Sequence, residues 1–294
     1  MPVPVAQAQN GVQPKPSTSS NNPVVGDVDP AGYFARYGHP IPVQDLKVHT
    51  EFASLYDRTK RNPTWVIEHI TAATKNIRNG EREKSIFAED LSVPEMFRAR
   101  LKDYFRSGYD RGHQAPAADA KFSQTAMDET FLLTNMCPQV GAGFNRDYWA
   151  HFERFCRNLT DKYASVRIMT GPLYLPKRDP DGKFRVTYEM IGNPPNVAVP
   201  THFFKLLVAE NPMVPSLPTS GVAVAAFVLP NAPISNSTPL SEFQVPLNAI
   251  ERSIGTELLP RLPTSQRREL CKEVKCAIEV VEYNNAIKSL PAPK

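Results

Sequence analysis

Apolar positions change period several times along the chain. Phe144, Tyr148, Phe152, Phe155 and Leu159 recur at intervals of four, four, three and four, the repeat of one helical face, so a helix is predicted over Phe144 to Leu159. Runs bounded by Pro or Gly at 165–170, 184–191, 202–209 and 221–229 read as strands, and so does Phe131 to Asn135. Val93 to Tyr104 predicts a helix, with Ser92 as cap, Pro94 in its first turn and Glu95 at the positive end of its dipole. A short helix is predicted at 246–254, opened by Pro246, and a last one over about 264–278, capped by Thr264 or Ser265. The run at 63–78 fits two elements: Trp65, Val66, Ile70 and Ile77 lie near one helical stripe, but its β-branched residues suit a strand equally. Residues 1–30 have no hydrophobic period and are rich in Pro, Ser, Asn, Gln and Val; a disordered tail is expected there, with order beginning near Tyr33 and Phe34. The sum is an α+β fold, a mixed, mainly antiparallel central sheet flanked by helices.

Composition alters this picture in one respect. Among 294 residues, 29 prolines outnumber 14 glycines, so the elements should be short and their connections irregular. The net charge of +4 fits a polyanionic partner without demanding one. The surplus is local: Arg58 to Arg111 holds twelve Lys/Arg against eight Asp/Glu. Such a patch could steer a phosphate backbone, or be an ordinary solvated surface. The cysteines, Cys137, Cys156, Cys271 and Cys276, follow no zinc spacing, and their even number is weak ground for disulfides without a secretory context. No run of seven apolar residues opens the chain, no stretch nears the roughly 20 apolar residues of a membrane span, and the first 35 residues contain one lysine and no arginine. No secretory or mitochondrial leader is therefore expected in the chain as written.

Candidate chemistry gathers between Ser107 and Glu153. In Asp110-Arg111-Gly112-His113 an acid, a cation, a glycine and a histidine are adjacent, and Gly108 and Pro116 interrupt regular structure on either side. This predicts a hairpin-like segment presenting His113, followed by a strand presenting Asn135. Downstream, Asn145, Trp149 and Glu153 are spaced by four, so Asn145 and Glu153 diverge by only about 80° around a helix. An amide oxygen and a carboxylate on one face suit a hard cation. Too few charges converge for tight calcium binding, whereas Mg²⁺ keeps most of its waters. Each residue also has an ordinary reading: a structural histidine, Asn145 as a helix cap, Glu153 paired with Arg157, Asp110 and Arg111 as a surface ion pair.

The order and spacing of these residues resemble the DNA/RNA non-specific endonucleases with a ββα-metal finger, in their endonuclease G branch and its fungal mitochondrial form. The likeness covers Tyr33 to about Arg261 and is most specific in GYDRGHQAPAADAKFSQTAMDETFLLTNMCPQVGAGFNRDYWAHFERFCRNLT. The exonuclease G branch tends to carry Ser where Asp110 stands. The resemblance implies a hydrolase cutting both DNA and RNA, with His113 as general base, its second ring nitrogen held by a backbone group, and Asn145 as the direct ligand of Mg²⁺, for which Mn²⁺ substitutes. Glu153 would act through water on the metal, Asn135 would position the histidine segment, and Arg111, Arg82 and Asp110 would meet the substrate. It further implies 5′-phosphate and 3′-hydroxyl products, a homodimer, a mitochondrial address with release to the nucleus, an endonuclease domain over 31–262 and a helical extension over 263–294. A mainly 5′-exonucleolytic enzyme and a non-catalytic nucleic-acid-binding protein on the same fold are the alternatives.

Overall fold

In the computed structural model, residues 45–280 are described; the expected tail at 1–30 lies outside them. A seven-stranded sheet is built from β1 (Asp45–Val48), β2 (Phe52–Asp57), β3 (Asn62–Thr71), then, after a separate ribbon of β4 (Asp110–His113) and β5 (Met136–Gln139), β6 (Tyr163–Leu173), β7 (His202–Pro212), β8 (Val222–Pro230) and β9 (Arg267–Glu269). Its order is β1-β2-β3-β6-β7-β8-β9. Every pairing is antiparallel except β8 with β9. The expected mixed, mainly antiparallel sheet is present, and the ambiguous run at 63–78 is a strand as far as Thr71. Its burial alternates, with Val66, Glu68 and Ile70 inside and His69 exposed, the two-residue period of a strand, which its β-branched residues favour.

Both faces of the sheet are covered. On one, Phe203, Leu207 and Ala209 pack with Trp149, Phe152 and Phe155 of the helix Tyr148–Asn158. On the other, Phe204, Leu206 and Val208 pack with Ile250 of the helix Leu247–Ile254. The alternation along β7 follows the two-residue period of a strand. Lys205, on the first of these faces, is fully buried; its ammonium donates to Thr170 Oγ1 at 2.7 Å and lies 4.8 Å from the Trp149 ring centre.

Five local expectations change. The helix expected from Phe144 starts at Tyr148, because the chain turns at Gly143, whose φ of +79° suits glycine and where a Cβ would fall 2.7 Å from Pro233. Val93 to Tyr104 is a 3₁₀ turn at Glu95–Phe97 and a single helical turn at Leu101–Tyr104. Between them the Arg98 carbonyl accepts from Asn196 and the Ala99 amide donates to Tyr56 Oη, which takes those groups away from a helical ladder. Phe131 to Asn135 ends in a 3₁₀ turn, Leu133–Asn135, and the strand follows it. The span 264–278 is a 3₁₀ turn, the edge strand β9 and one helical turn, Leu270–Glu273. The strand expected at 184–191 is only two short pairing segments, Phe184–Arg185 and Met190–Ile191. Among the described residues no helix is long and apolar enough to cross a membrane.

Cys271 and Cys276 form a disulfide, which the spacing did not lead us to expect, while Cys137 and Cys156 are free and buried. The turn at Leu270–Glu273 brings the two sulfurs together, and Leu270 and Val274 anchor the segment in the core. Closing so small a loop restrains the unfolded chain by about 2 kcal/mol in the chain-entropy account. Cys271→Ser with Cys276→Ser, or reduction of the native chain, should lower the melting temperature by several degrees. An unchanged melting curve would show that the core contacts of Leu270 and Val274 hold the segment unaided.

Candidate active site

The ribbon of β4 and β5 pairs Asp110 with Gln139, Gly112 with Cys137 and His113 with Met136. Gly112 is required by close approach: a Cβ there would fall 1.9 Å from Gln139 Oε1. Asn135, fully buried, fastens the segment just past His113. Its Oδ1 accepts from the Ala115 amide at 3.0 Å, and its Nδ2 donates to the carbonyls of Ala115 and Thr130 at 2.9 and 2.8 Å. The Gln114 amide donates to the Asn135 carbonyl. One asparagine thus ties the chain after β4 to the end of the helix Gln124–Glu129.

The His113 ring is flanked by two phenylalanines. Phe131 meets it edge-on with centroids 4.8 Å apart, and Phe87 lies 5.6 Å away. Each phenylalanine carries an arginine: the Arg111 guanidinium is 4.2 Å from the Phe87 centroid, and that of Arg82 is 5.1 Å from Phe131. Burial, then the charges of Arg82 and Arg111, hold the imidazole well below its ordinary value of 6.5. It is therefore neutral at physiological pH. Nε2 is buried and has no hydrogen-bond partner, so the expected backbone contact to the second nitrogen is replaced by aromatic packing. Of the two ring nitrogens only Nε2 is buried without a partner, which leaves Nδ1 as the one available to accept a proton. Phe87 and Phe131 have no local signal that would have marked them; Phe87 reaches the site through the pairing of Ala88 with Leu132.

Asn145 stands in the turn before the helix Tyr148–Asn158 and does not cap it. Its Nδ2 donates to Asp110 Oδ2 at 2.9 Å, and the same carboxylate oxygen pairs with Arg146 Nε at 3.1 Å. Asp110 therefore orients Asn145, with the amide oxygen turned away from the carboxylate, and it does not pair with Arg111. Glu153 lies on the second turn of the helix. Burial pushes its carboxyl up to about 7, against the pull of Lys205, Arg157 and Arg82. Glu68 behind it is fully buried, with neither carboxyl oxygen hydrogen-bonded; desolvation, with Asp119 adding to it, raises it well above the usual range. Arg82, the most distant of the expected residues in sequence, acts on both His113 and Glu153.

The candidate metal donors are all oxygen: the Asn145 amide with the Asp110 carboxylate bonded to it, and the Glu153 carboxylate on the helix that follows. No group of three His, Cys, Asp or Glu among the described residues could by itself hold a metal. That set is too sparse for calcium or structural zinc and fits a hard cation that keeps its own water.

The ribbon presents His113, the turn after it Asn145 and the following helix Glu153, a ββα arrangement. The DNA/RNA non-specific endonuclease family profile matches residues 30–265. The chain is 62% identical to the mitochondrial nuclease of Saccharomyces cerevisiae, over 91% of this chain and 83% of that one, and 55% identical to nuclease 1, mitochondrial, of Schizosaccharomyces pombe, over 87% and 78%. A crystal structure of an EndoG/EndoGI complex is 42% identical, with a TM-score of 0.72, covering 81% of this chain and 97% of that one. The chain belongs to the DNA/RNA non-specific endonuclease family. It is a hydrolytic endonuclease acting on nucleic acids.

Two predictions rest on this geometry. Asn135→Ala leaves the Ala115 amide and two carbonyls without partners in the interior, so it should cost about 2–4 kcal/mol of stability; a denaturant curve superposing on the wild type would refute the fastening role. The His113 imidazole, depressed by burial and two guanidiniums, should titrate below 6.5 by NMR of labelled histidine. In the interval between the folded and unfolded values the unfolded chain binds the proton first, so this group subtracts stability as pH falls below about 6.5. Arg82→Gln removes one repulsive charge and should move the His113 titration upward; a downward or absent shift would contradict the electrostatic assignment.

Proposed function

We propose that this chain is an Mg²⁺-dependent endonuclease that cuts DNA and RNA with little regard to base, using His113 as general base and leaving 5′-phosphate and 3′-hydroxyl ends. The observation that carries the reading is the imidazole of His113, flanked by Phe87 and Phe131 with Arg111 against the first ring and Arg82 against the second. A base must be unprotonated at working pH and reach the water it activates. Nδ1 meets the second need and the depressed titration the first. As Nδ1 accepts the proton of the attacking water, the developing imidazolium faces two guanidiniums, which favour passing that proton on.

Arg111 and Arg82 present guanidinium forks to phosphate oxygens beside the base, which suits the charge that accumulates on phosphorus ligands during in-line displacement. The Asn145 oxygen, fixed by the bond from its Nδ2 to Asp110, would hold the cation, with Glu153 accepting hydrogen bonds from water around it. When bound, Mg²⁺, or Mn²⁺ in its place, would stabilise negative charge on the phosphate and on the departing 3′-oxygen. Asp110 is assigned here to orientation, a change from the substrate contact expected of it, and Asn135 to the placement of His113. Groups that grip phosphate read little base identity, which supports a broad substrate range.

The Saccharomyces and Schizosaccharomyces relatives are mitochondrial nucleases, which supports mitochondrial residence, and the family likeness supports a homodimer, an endonuclease domain over 31–262 and an extension over 263–294. Plasmid nicking with Mg²⁺ tests the mechanism. His113→Ala should lower kcat by about 10²–10⁴-fold, Asn145→Ala should raise the Mg²⁺ requirement, and a chelator should abolish cutting. Undiminished cutting by His113→Ala would remove His113 from the role of base.

A further inference from the structure

Beyond the groups that face His113, the flank of the site holds an uncompensated cluster of cations. Lys75, Arg78, Lys121 and Arg157 come together there, Lys75, Lys121 and Arg157 around a small pocket that Thr74 and Asp119 also line. Two of the four are neutralised: Lys75 Nζ pairs with Asp161 at 2.6 Å and Arg157 with Asp119 at 3.0 Å. Arg78 is exposed, and its guanidinium donates to the carbonyls of Lys75 and Ile77. Lys121 is half-buried, and its ammonium makes neither a hydrogen bond nor an ion pair among the described residues. Arg78, Arg157 and Arg82 all repel it, and the one attractive carboxylate, Asp119, already serves Arg157.

Holding a desolvated ammonium among like charges is unfavourable unless an anion joins them. The place is tied to the catalytic groups. The amides of Asn79 and Gly80 donate to the Lys121 carbonyl at 2.9 and 2.8 Å, and this fixes the loop that carries Arg82 over Phe131 and His113. Arg157 follows Glu153 by four residues on the same helix. We propose that Lys121, with Arg78 and Arg157, binds a phosphate of the substrate strand adjacent to the one being cut. The pocket, with a volume of about 20 Å³, has room for no more than a water, so the phosphate lies at its mouth. A phosphodiester supplies the missing negative charge, and successive phosphates on one strand connect this mouth with the scissile position. The proposal rests on the nuclease reading above and adds a second point of contact to it.

The test compares wild type, Lys121→Met and Arg78→Gln, each checked for an unchanged melting temperature. Binding of a labelled single-stranded oligonucleotide in EDTA is followed by anisotropy as salt is raised. Each variant should weaken binding about fivefold at low salt and reduce the slope of log K on log salt by about one. Under turnover, KM for the oligonucleotide should rise while kcat holds, and a small chromogenic phosphodiester, which spans only the scissile position, should show no such penalty. Unchanged affinity and slope in both variants would overturn the subsite, as would equal impairment on the long and the small substrate. Inorganic phosphate competing as well as oligonucleotide phosphate would assign the cluster to a free anion and overturn it too. Failure of the mechanism would show separately, in full activity of His113→Ala, and leaves the binding measurements legible.

Discussion

A histidine serves as base only while it carries no proton, and in this chain that condition is imposed from several directions at once. Phe87 and Phe131 strip water from the His113 ring, and the guanidiniums of Arg111 and Arg82 lie against those rings. Each pKa unit of depression corresponds to about 1.4 kcal/mol of bias against the imidazolium. None of these neighbours is placed by the β4 ribbon alone. Phe87 arrives through the pairing of Ala88 with Leu132, Phe131 is buried at the end of the helix Gln124–Glu129, and Arg82 sits on the loop that bonds to Lys121. Asn135 locks the strand after His113 to that helix end. The electrostatics of the base thus depend on four segments meeting around one ring.

The sheet supplies the rigidity this requires, and it also reaches into the site with charge. Lys205 and Glu68 stand on the face of the sheet that packs against the helix of Glu153. Glu68, Glu51, Asp119 and Glu153 gather four carboxyls there, with Lys205 and Arg157 beside them. So many acids in a desolvated space do not all ionise. Glu68, with neither oxygen bonded, is held neutral, and burial with the charge of Asp119 pushes Glu51 up to about 8. Aromatic packing of Trp149 and Phe152 on Phe203 and Phe227 fixes the helix over this layer. Truncating one such side chain would cost about 3–5 kcal/mol, so the position of Glu153 is secured by core packing rather than by its own contacts.

The parts legible in sequence are those whose signal is local. Gly112 next to His113 and the Pro- and Gly-bounded strands at 165–170, 202–209 and 221–229 sit within short windows, and the structure places them as read, whereas Asn145 falls in the turn before the helix that carries Glu153. Asn135 was legible as well, through family likeness. The boundaries that failed did so where distant groups claimed the backbone: Tyr56 and Asn196 hold Ala99 and Arg98 out of a helix, and Gly143 turns the chain against Pro233. Phe87, 26 residues before His113, and the partnership of Asp110 with Asn145 rather than Arg111 exist only in three dimensions, so no periodicity carries them. The Cys271–Cys276 bridge was hidden for another reason: cysteine spacing says little until a turn is known to lie between the two.

The two titrating groups of the site stand in inverted order. An ordinary carboxyl loses its proton well below an imidazole, yet Glu153 is pushed up to about 7 while His113 is held well below 6.5. Burial accounts for both, since it penalises the charged form of each. Arg82 works on both as well, stabilising charge on Glu153 and opposing it on His113. The outcome is an unprotonated imidazole on His113 and a carboxyl on Glu153 that still holds part of a proton at neutrality. Environments that drive two groups apart in this way separate the roles of base and acid or ligand. Positive charge arriving beside Asn145 would draw the Glu153 proton off while disfavouring any proton on His113.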